Sequence, residues 1–158
     1  MALRKILNNK YPALHKTCKP VENFDSKLHS LLDDMRETLI DSGGVGLAAP
    51  QVGILRRVVL VDNGETILEL VNPTLVETDG EQIGAEGCLS VPGKYGLVKR
   101  PYYAKVRAQD RFGNWFEAEG EELTARCFCH ELDHLDGILY TQVMERLLTD
   151  EELQELAD

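Results

Sequence analysis

The sequence predicts an α+β fold, a single domain of antiparallel β-sheets around a central helix that bears His130-Glu131-Leu132-Asp133-His134. Three observations lead to it. A chain of 158 residues, 43% hydrophobic, falls within the range of one domain and is long enough to bury a core. Short β-rich runs occupy its middle, separated by turn dipeptides. Apolar residues at helical spacing lie towards its two ends, without linkers, repeats or low-complexity tracts between.

Taken in order, the first stretch, MALRKILNNKYPALHK, has too short an apolar run for a secretory signal, and no segment approaches bilayer length. A cytoplasmic protein is expected, and Cys18, Cys88, Cys127 and Cys129 then read as thiols, with Cys18 a small, partly buried residue. Asp25 is placed to cap a helix whose Leu28, Leu31, Leu32, Met35 and Leu39 form one stripe, ending at Gly43-Gly44. His29 on that helix has no metal-spaced partner and reads as surface or packing, as does His15. The glycines from Gly43 to Gly46 follow a helix and lack a GK[ST] ending, so they suit backbone that approaches a ligand closely and not a phosphate loop.

Arg57 to Asp62 and Glu65 to Val71 are two strands joined by Asn63-Gly64, a two-residue hairpin signal. Further strands are expected at Leu75 to Thr78, Tyr102 to Gln109 and Trp115 to Glu119, with turns at Asp79-Gly80 and Gly113-Asn114, all antiparallel. A second helix runs from near Thr124 to Gly137. Thr149-Asp150-Glu151-Glu152 is a capping box opening a short final helix. Net charge is −10 and the pI about 4.9. That acidity, with no long Lys/Arg run, argues against direct nucleic-acid binding and for solubility.

Function is concentrated in the HExxH segment. On a helix its imidazoles stand four residues apart on one face, the spacing a single metal ion needs, and Glu131 between them is placed to act on water and not on the metal. Extended metalloprotease motifs add a histidine six residues on, where this chain has Tyr140. A third ligand therefore comes from a downstream carboxylate (Glu145, Glu151, Glu152 or Glu155) or from upstream, where a cysteine is the strongest candidate. Arg126 and Cys127 lie one turn before His130 on a similar face and are candidates to line a pocket, whereas Cys129 is turned from it by about 100°.

That cysteine is Cys88 in Glu86-Gly87-Cys88-Leu89-Ser90. With Gly44-Val45-Gly46-Leu47-Ala48-Ala49-Pro50-Gln51 before it and HELDHLDG after it, three blocks in this order closely resemble the peptide deformylases. The resemblance covers nearly the whole chain and implies that 1–158 is one catalytic domain. It implies Cys88, His130 and His134 as metal ligands, Glu131 as general base and acid, and Gln51 with the Leu89 backbone N–H as oxyanion donors. Val45, Gly46, Gly87, Arg126 and Cys127 become candidate substrate contacts, with the Val45–Gly46 backbone an edge for an extended peptide. The implied activity is hydrolysis of the formyl group from the N-terminal formyl-methionine of nascent polypeptides. The implied cofactor is one divalent ion, Fe²⁺ in the cell, with Zn²⁺, Ni²⁺ or Co²⁺ in purified protein. The implied partners are nascent chains, with transient ribosome contact and no membrane.

Two further readings compete: an HExxH endopeptidase using a downstream glutamate, and a non-catalytic homologue that binds ribosomes or peptides. The family usually has glutamine immediately before the first metal histidine, and here Cys129 stands there, which bears on support of the ligand and on redox sensitivity. The C-terminal helix is shorter than in some members.

Overall fold

The computed structural model describes residues 2–157. Helix α1 (Ser26–Ser42) starts where Asp25 accepts from Leu28 N at 3.1 Å and stops at Gly43, whose φ of 71° is the left-handed conformation of a helix end. A five-stranded antiparallel sheet follows, built from β1 (Gly46–Ala48), β2 (Val58–Asp62), β3 (Ile67–Asp79), β6 (Tyr103–Gln109) and β7 (Trp115–Glu121) in the order β1-β2-β3-β6-β7. A second sheet, ordered β4-β5-β8, comprises β4 (Gln82–Cys88), β5 (Val91–Arg100) and β8 (Arg146–Leu147). Helices α2 (Leu123–Leu135), α3 (Tyr140–Val143) and α4 (Asp150–Ala157) complete the chain.

The continuous apolar run of β2 is explained by burial on both of its faces. Val58 and Leu60 pack with α1 residues Leu32, Met35 and Leu39. Val59 and Val61 face the other way, onto Phe128 and Leu135 of α2. Each fully buried Leu or Phe of this kind contributes about 1.5–3 kcal/mol. The α2 helix is thus seated on the five-stranded sheet, and its C-terminal end is closed by the N-terminal segment: Leu135 O accepts from Cys18 N at 2.7 Å and from Arg57 Nη1 at 3.2 Å.

Several expectations are corrected in detail. Asp62 pairs with Ile67, so four residues and not two form the β2–β3 loop, with Asn63 Oδ1 accepting from the N–H of Glu65 and Thr66. The run at 75–78 is the far half of the long strand β3, which bends at irregularities after Val71 and Leu75. Asp79-Gly80 leads into β4, in the other sheet, and does not join neighbouring strands. The β4–β5 hairpin, β1, β8 and α3 were not expected. The capping box at Thr149 forms: Glu152 N donates to Thr149 Oγ1 at 3.2 Å and Thr149 N to Glu152 Oε1 at 3.0 Å.

Candidate active site

Two elements supply the reactive groups. The α2 helix carries Arg126, Cys127, His130, Glu131 and His134, and the end of β4 carries Glu86 and Cys88. The β4–β5 register is irregular between Glu86 and Cys88, at Gly87, before Cys88 pairs with Val91. Such irregularities re-aim side chains. Here they accompany Cys88 Sγ lying 3.4 Å from His134 Nε2. One donor atom from each of Cys88, His130 and His134 lies within 4.8 Å of the others, so the structure brings the three expected ligands together.

The imidazoles are held differently. His130 Nδ1 bonds Glu86 Oε1 at 2.6 Å, and the same ring also hydrogen-bonds Cys88. Tyr140, at the place of the third protease histidine, stacks on His130 with centroids 6.2 Å apart and donates its hydroxyl to Lys94 O at 3.0 Å. Burial, and then the proximity of His130, hold the His134 pKa well below its usual value, which keeps a ligand lone pair available. Burial also opposes charge on His130, but Glu131, Cys88 and Glu86 outweigh it and move its pKa well up.

Glu86 is the hub of the network. Arg100 grips both its carboxylate oxygens at 2.8 and 3.0 Å, and Arg126 Nη1 donates to Oε2 at 2.7 Å. Arg100 also holds Asp133 at 2.7 Å. Burial would raise the Glu86 pKa, yet hydrogen bonds from His130 and Arg100 outweigh it and keep the carboxyl far below the usual range. Sequence reasoning did not find Glu86 or Tyr140. The alternation Glu86-x-Cys88 on one strand was the available signal, since residues two apart share a face.

Glu131 is buried, and burial lifts its pKa to about 7, with Glu86 and Asp133 adding to the effect and His130 and Arg100 opposing it. Its Oε1 and His134 Nδ1 are the buried side-chain polar atoms without a hydrogen-bond partner among the described residues. An orphaned carboxylate oxygen at neutral pKa is the equipment of a general base. A thiol and two imidazoles beside it fit a divalent transition ion, and three protein ligands leave a position open for chemistry.

Gln51 is buried; its Oε1 accepts from Ala48 N at 2.9 Å, and its Nε2 lies 3.1 Å from Ser90 Oγ and 3.6 Å from Cys88 Sγ. The amide therefore reaches the ligand cluster. Leu89 follows Cys88 in the β4–β5 turn and packs towards α1. A cavity of about 500 Å³ is lined by Val45, Gly46, Gln51, Gly87, Leu89, Arg126, Cys127, His130 and Glu131, uniting the expected substrate and catalytic residues. A cavity of about 580 Å³ beside α1 has neither histidine nor cysteine in its wall.

Within the wall, Arg126 is committed to Glu86 and to Val98 O at 3.1 Å. Cys127 Sγ points to Val45 O at 3.5 Å. A Cβ on Gly46 would collide with Cys127 Sγ and the Glu131 carboxylate, so this glycine is required by close approach. Cys129 faces a separate groove with Arg57, Arg100 and Asp133. All four cysteines are free. His29 bonds Arg111 O and packs on Phe112, and His15 bonds Asn9 O, both as expected of scaffold. Of the downstream glutamates, Glu152 is occupied by Arg146 at 2.7 and 2.8 Å and by the capping box.

The profile described as Polypeptide deformylase matches residues 3–149. The chain is 55% identical over 150 residues to the peptide deformylase of Agathobacter rectalis, covering 95% of each chain. It is 51% identical over 155 residues to that of Caldicellulosiruptor bescii, covering 98% of this chain and 93% of the relative. Among solved structures, the peptide deformylase of Thermotoga maritima superimposes with a TM-score of 0.88 at 38% identity, over 90% of this chain and 98% of that one. A Synechococcus elongatus peptide deformylase in complex with actinonin gives 0.84 at 35% identity, over 95% and 81%.

Proposed function

The chain belongs to the polypeptide deformylase family, and from that premise we propose that Cys88, His130 and His134 hold its metal while Glu131 carries the proton during deformylation. The protein is a metal-dependent hydrolase that removes the N-terminal formyl group of nascent polypeptides; neither alternative, endopeptidase or non-catalytic homologue, is supported. The observation that carries the assignment of roles is the orphaned, buried Glu131 carboxylate beside a Cys/His/His cluster.

Cys88, His130 and His134 would hold a divalent ion, which would supply Lewis acidity to the formyl carbonyl and to water. Glu131 accepts a proton from water as its oxygen bonds to the formyl carbon. The Gln51 amide and the Leu89 N–H receive the charge that develops on the former carbonyl oxygen, and losing one such donor costs about 2.7–4 kcal/mol. Glu131 then gives the proton to the departing nitrogen as the C–N bond breaks. Formate and a free amino terminus result.

Val45, Gly46 and Gly87 offer backbone to an extended substrate, and β1, at an edge of its sheet, leaves one side unpaired for it. Arg126 and Cys127 complete the wall around the first side chain. Residues 1–158 act as one catalytic domain. Fe²⁺ is the ion in the cell, on the family resemblance and the mixed sulfur and nitrogen donors, with Zn²⁺, Ni²⁺ or Co²⁺ replacing it after purification. Among the described residues no helix is long and apolar enough to cross a membrane. The reading places the enzyme in the cytoplasm, with transient ribosome contact.

The test is formate release from formyl-Met-Ala by anaerobic, iron-loaded protein, beside cleavage of unformylated peptides. Formate without endopeptidase activity supports the assignment. Peptide-bond cleavage without formate refutes it.

A further inference from the structure

We propose that Lys94 is a specificity-determining residue of this hydrolase, favouring formyl-methionyl peptides with an acidic side chain in the second or third residue over those with a basic one. The proposal rests on the deformylase reading and extends it beyond the first residue.

It follows from the charges in the wall of the catalytic cavity. Those are Glu86, Lys94, Arg126, His130 and Glu131. Glu86 and Arg126 neutralise each other at 2.7 Å, and His130 bonds Glu86. Glu131 is buried beside the ligand cluster, where the formyl group must react. Lys94 differs: it is exposed and makes no ion pair among the described residues. It is thus the uncommitted charge on the wall, at the solvent side, where the chain beyond methionine must leave.

Its position is also fixed. Lys94 O accepts the Tyr140 hydroxyl at 3.0 Å, and Tyr140 stacks on His130. On the other side, Tyr95 O accepts from Leu148 N at 2.8 Å. The Tyr95 ring lies against Gly87 so closely that a Cβ there would overlap it. The backbone that carries Lys94 is therefore tied to the reacting centre while its ammonium remains free in solvent. The protein's net charge of −10 repels acidic peptides at long range, but that field is screened beyond about 8 Å at physiological salt, which leaves the local cation to discriminate.

The experiment measures kcat/KM for formate release from formyl-Met-Asp-Ala, formyl-Met-Lys-Ala, formyl-Met-Ala-Asp and formyl-Met-Ala-Lys, with the wild-type enzyme, Lys94→Met and Lys94→Glu. At least one position should show an Asp-to-Lys ratio of roughly twofold to fivefold at physiological salt in the wild type, as expected of an exposed charge pair. The ratio should shrink at high salt, approach unity in Lys94→Met and invert in Lys94→Glu. Because each ratio is taken within one protein, altered folding or metal loading cancels. Equal ratios in wild type and Lys94→Glu at both positions overturn the proposal. Failure of the wild type to release formate from neutral formyl-Met-Ala overturns the deformylase reading and the proposal with it.

Discussion

Glu86 Oε1 lies 2.6 Å from His130 Nδ1 while both oxygens of the same carboxylate are held by Arg100 and Oε2 by Arg126. One strand residue thus orients a helix imidazole and is itself fixed by two guanidinium groups. Ligand histidines depend on such partners for ring orientation and basicity.

Replacing this carboxylate should therefore weaken the metal centre without touching a ligand. Glu86→Gln is expected to lower metal affinity or turnover by about 10–100-fold. It should also destabilise the fold by about 3–5 kcal/mol, because Arg126 remains buried without an anion and Arg100 keeps only Asp133. Chelator competition and urea unfolding check the two effects. Wild-type metal affinity in this variant would show that Glu86 does not support His130.

Gly46, on the edge strand β1, approaches Glu131 with no room for a methyl group, since its Cβ would overlap Cys127 Sγ and the Glu131 carboxylate. Gly46→Ala should leave bound metal in place and cut formate release by at least about tenfold, as Glu131 is pushed from its position. A variant with normal kcat would show that Glu131 tolerates displacement.

The local signals of this chain were readable because their causes are local. Asp25 caps α1, Thr149 and Glu152 form their box, and the HExxH spacing puts the imidazoles on one face of α2. The β4–β5 hairpin was hidden because Gly84, Gly87, Pro92, Gly93 and Gly96 weaken the strand pattern. Glu86 was hidden for a different reason. Its partners Arg100, Arg126 and His130 lie 14, 40 and 44 residues away, and only the fold assembles them. The expected direction of Cys129, away from the pocket, followed from helical geometry and agrees with its place in the groove behind α2.

The thiols divide by burial. Cys18 and Cys129 are both pushed up to about 11, mainly by burial, and burial moves Cys127 well above its usual value. Native metal-loaded protein exposed to iodoacetamide at pH 7 should leave all three unmodified on a timescale that labels every cysteine in denaturant, as read by mass spectrometry. Rapid native labelling of Cys127 would mean that the wall beside Glu131 opens readily.

Closure of the C-terminal end of α2 should be sensitive to one glycine. Gly137 has φ 76°, and a Cβ there would meet His15 C at 2.7 Å and Lys16 N at 2.8 Å. Gly137→Ala should destabilise by at least about 1–2 kcal/mol, lowering Tm by roughly 2–8 °C for a chain of this size. An unchanged Tm would show that the N-terminal segment does not pack there in solution.

The central claim, that Cys88, His130 and His134 hold the metal while Glu131 only moves protons, is tested most directly by Glu131→Gln, with metal stoichiometry and formate release measured on the same preparation. Wild-type metal content is expected, with formate release from formyl-Met-Ala reduced by about 10²–10⁴-fold. Loss of the metal would place Glu131 among its ligands, and retention of turnover would remove it from the chemistry; either result contradicts the account.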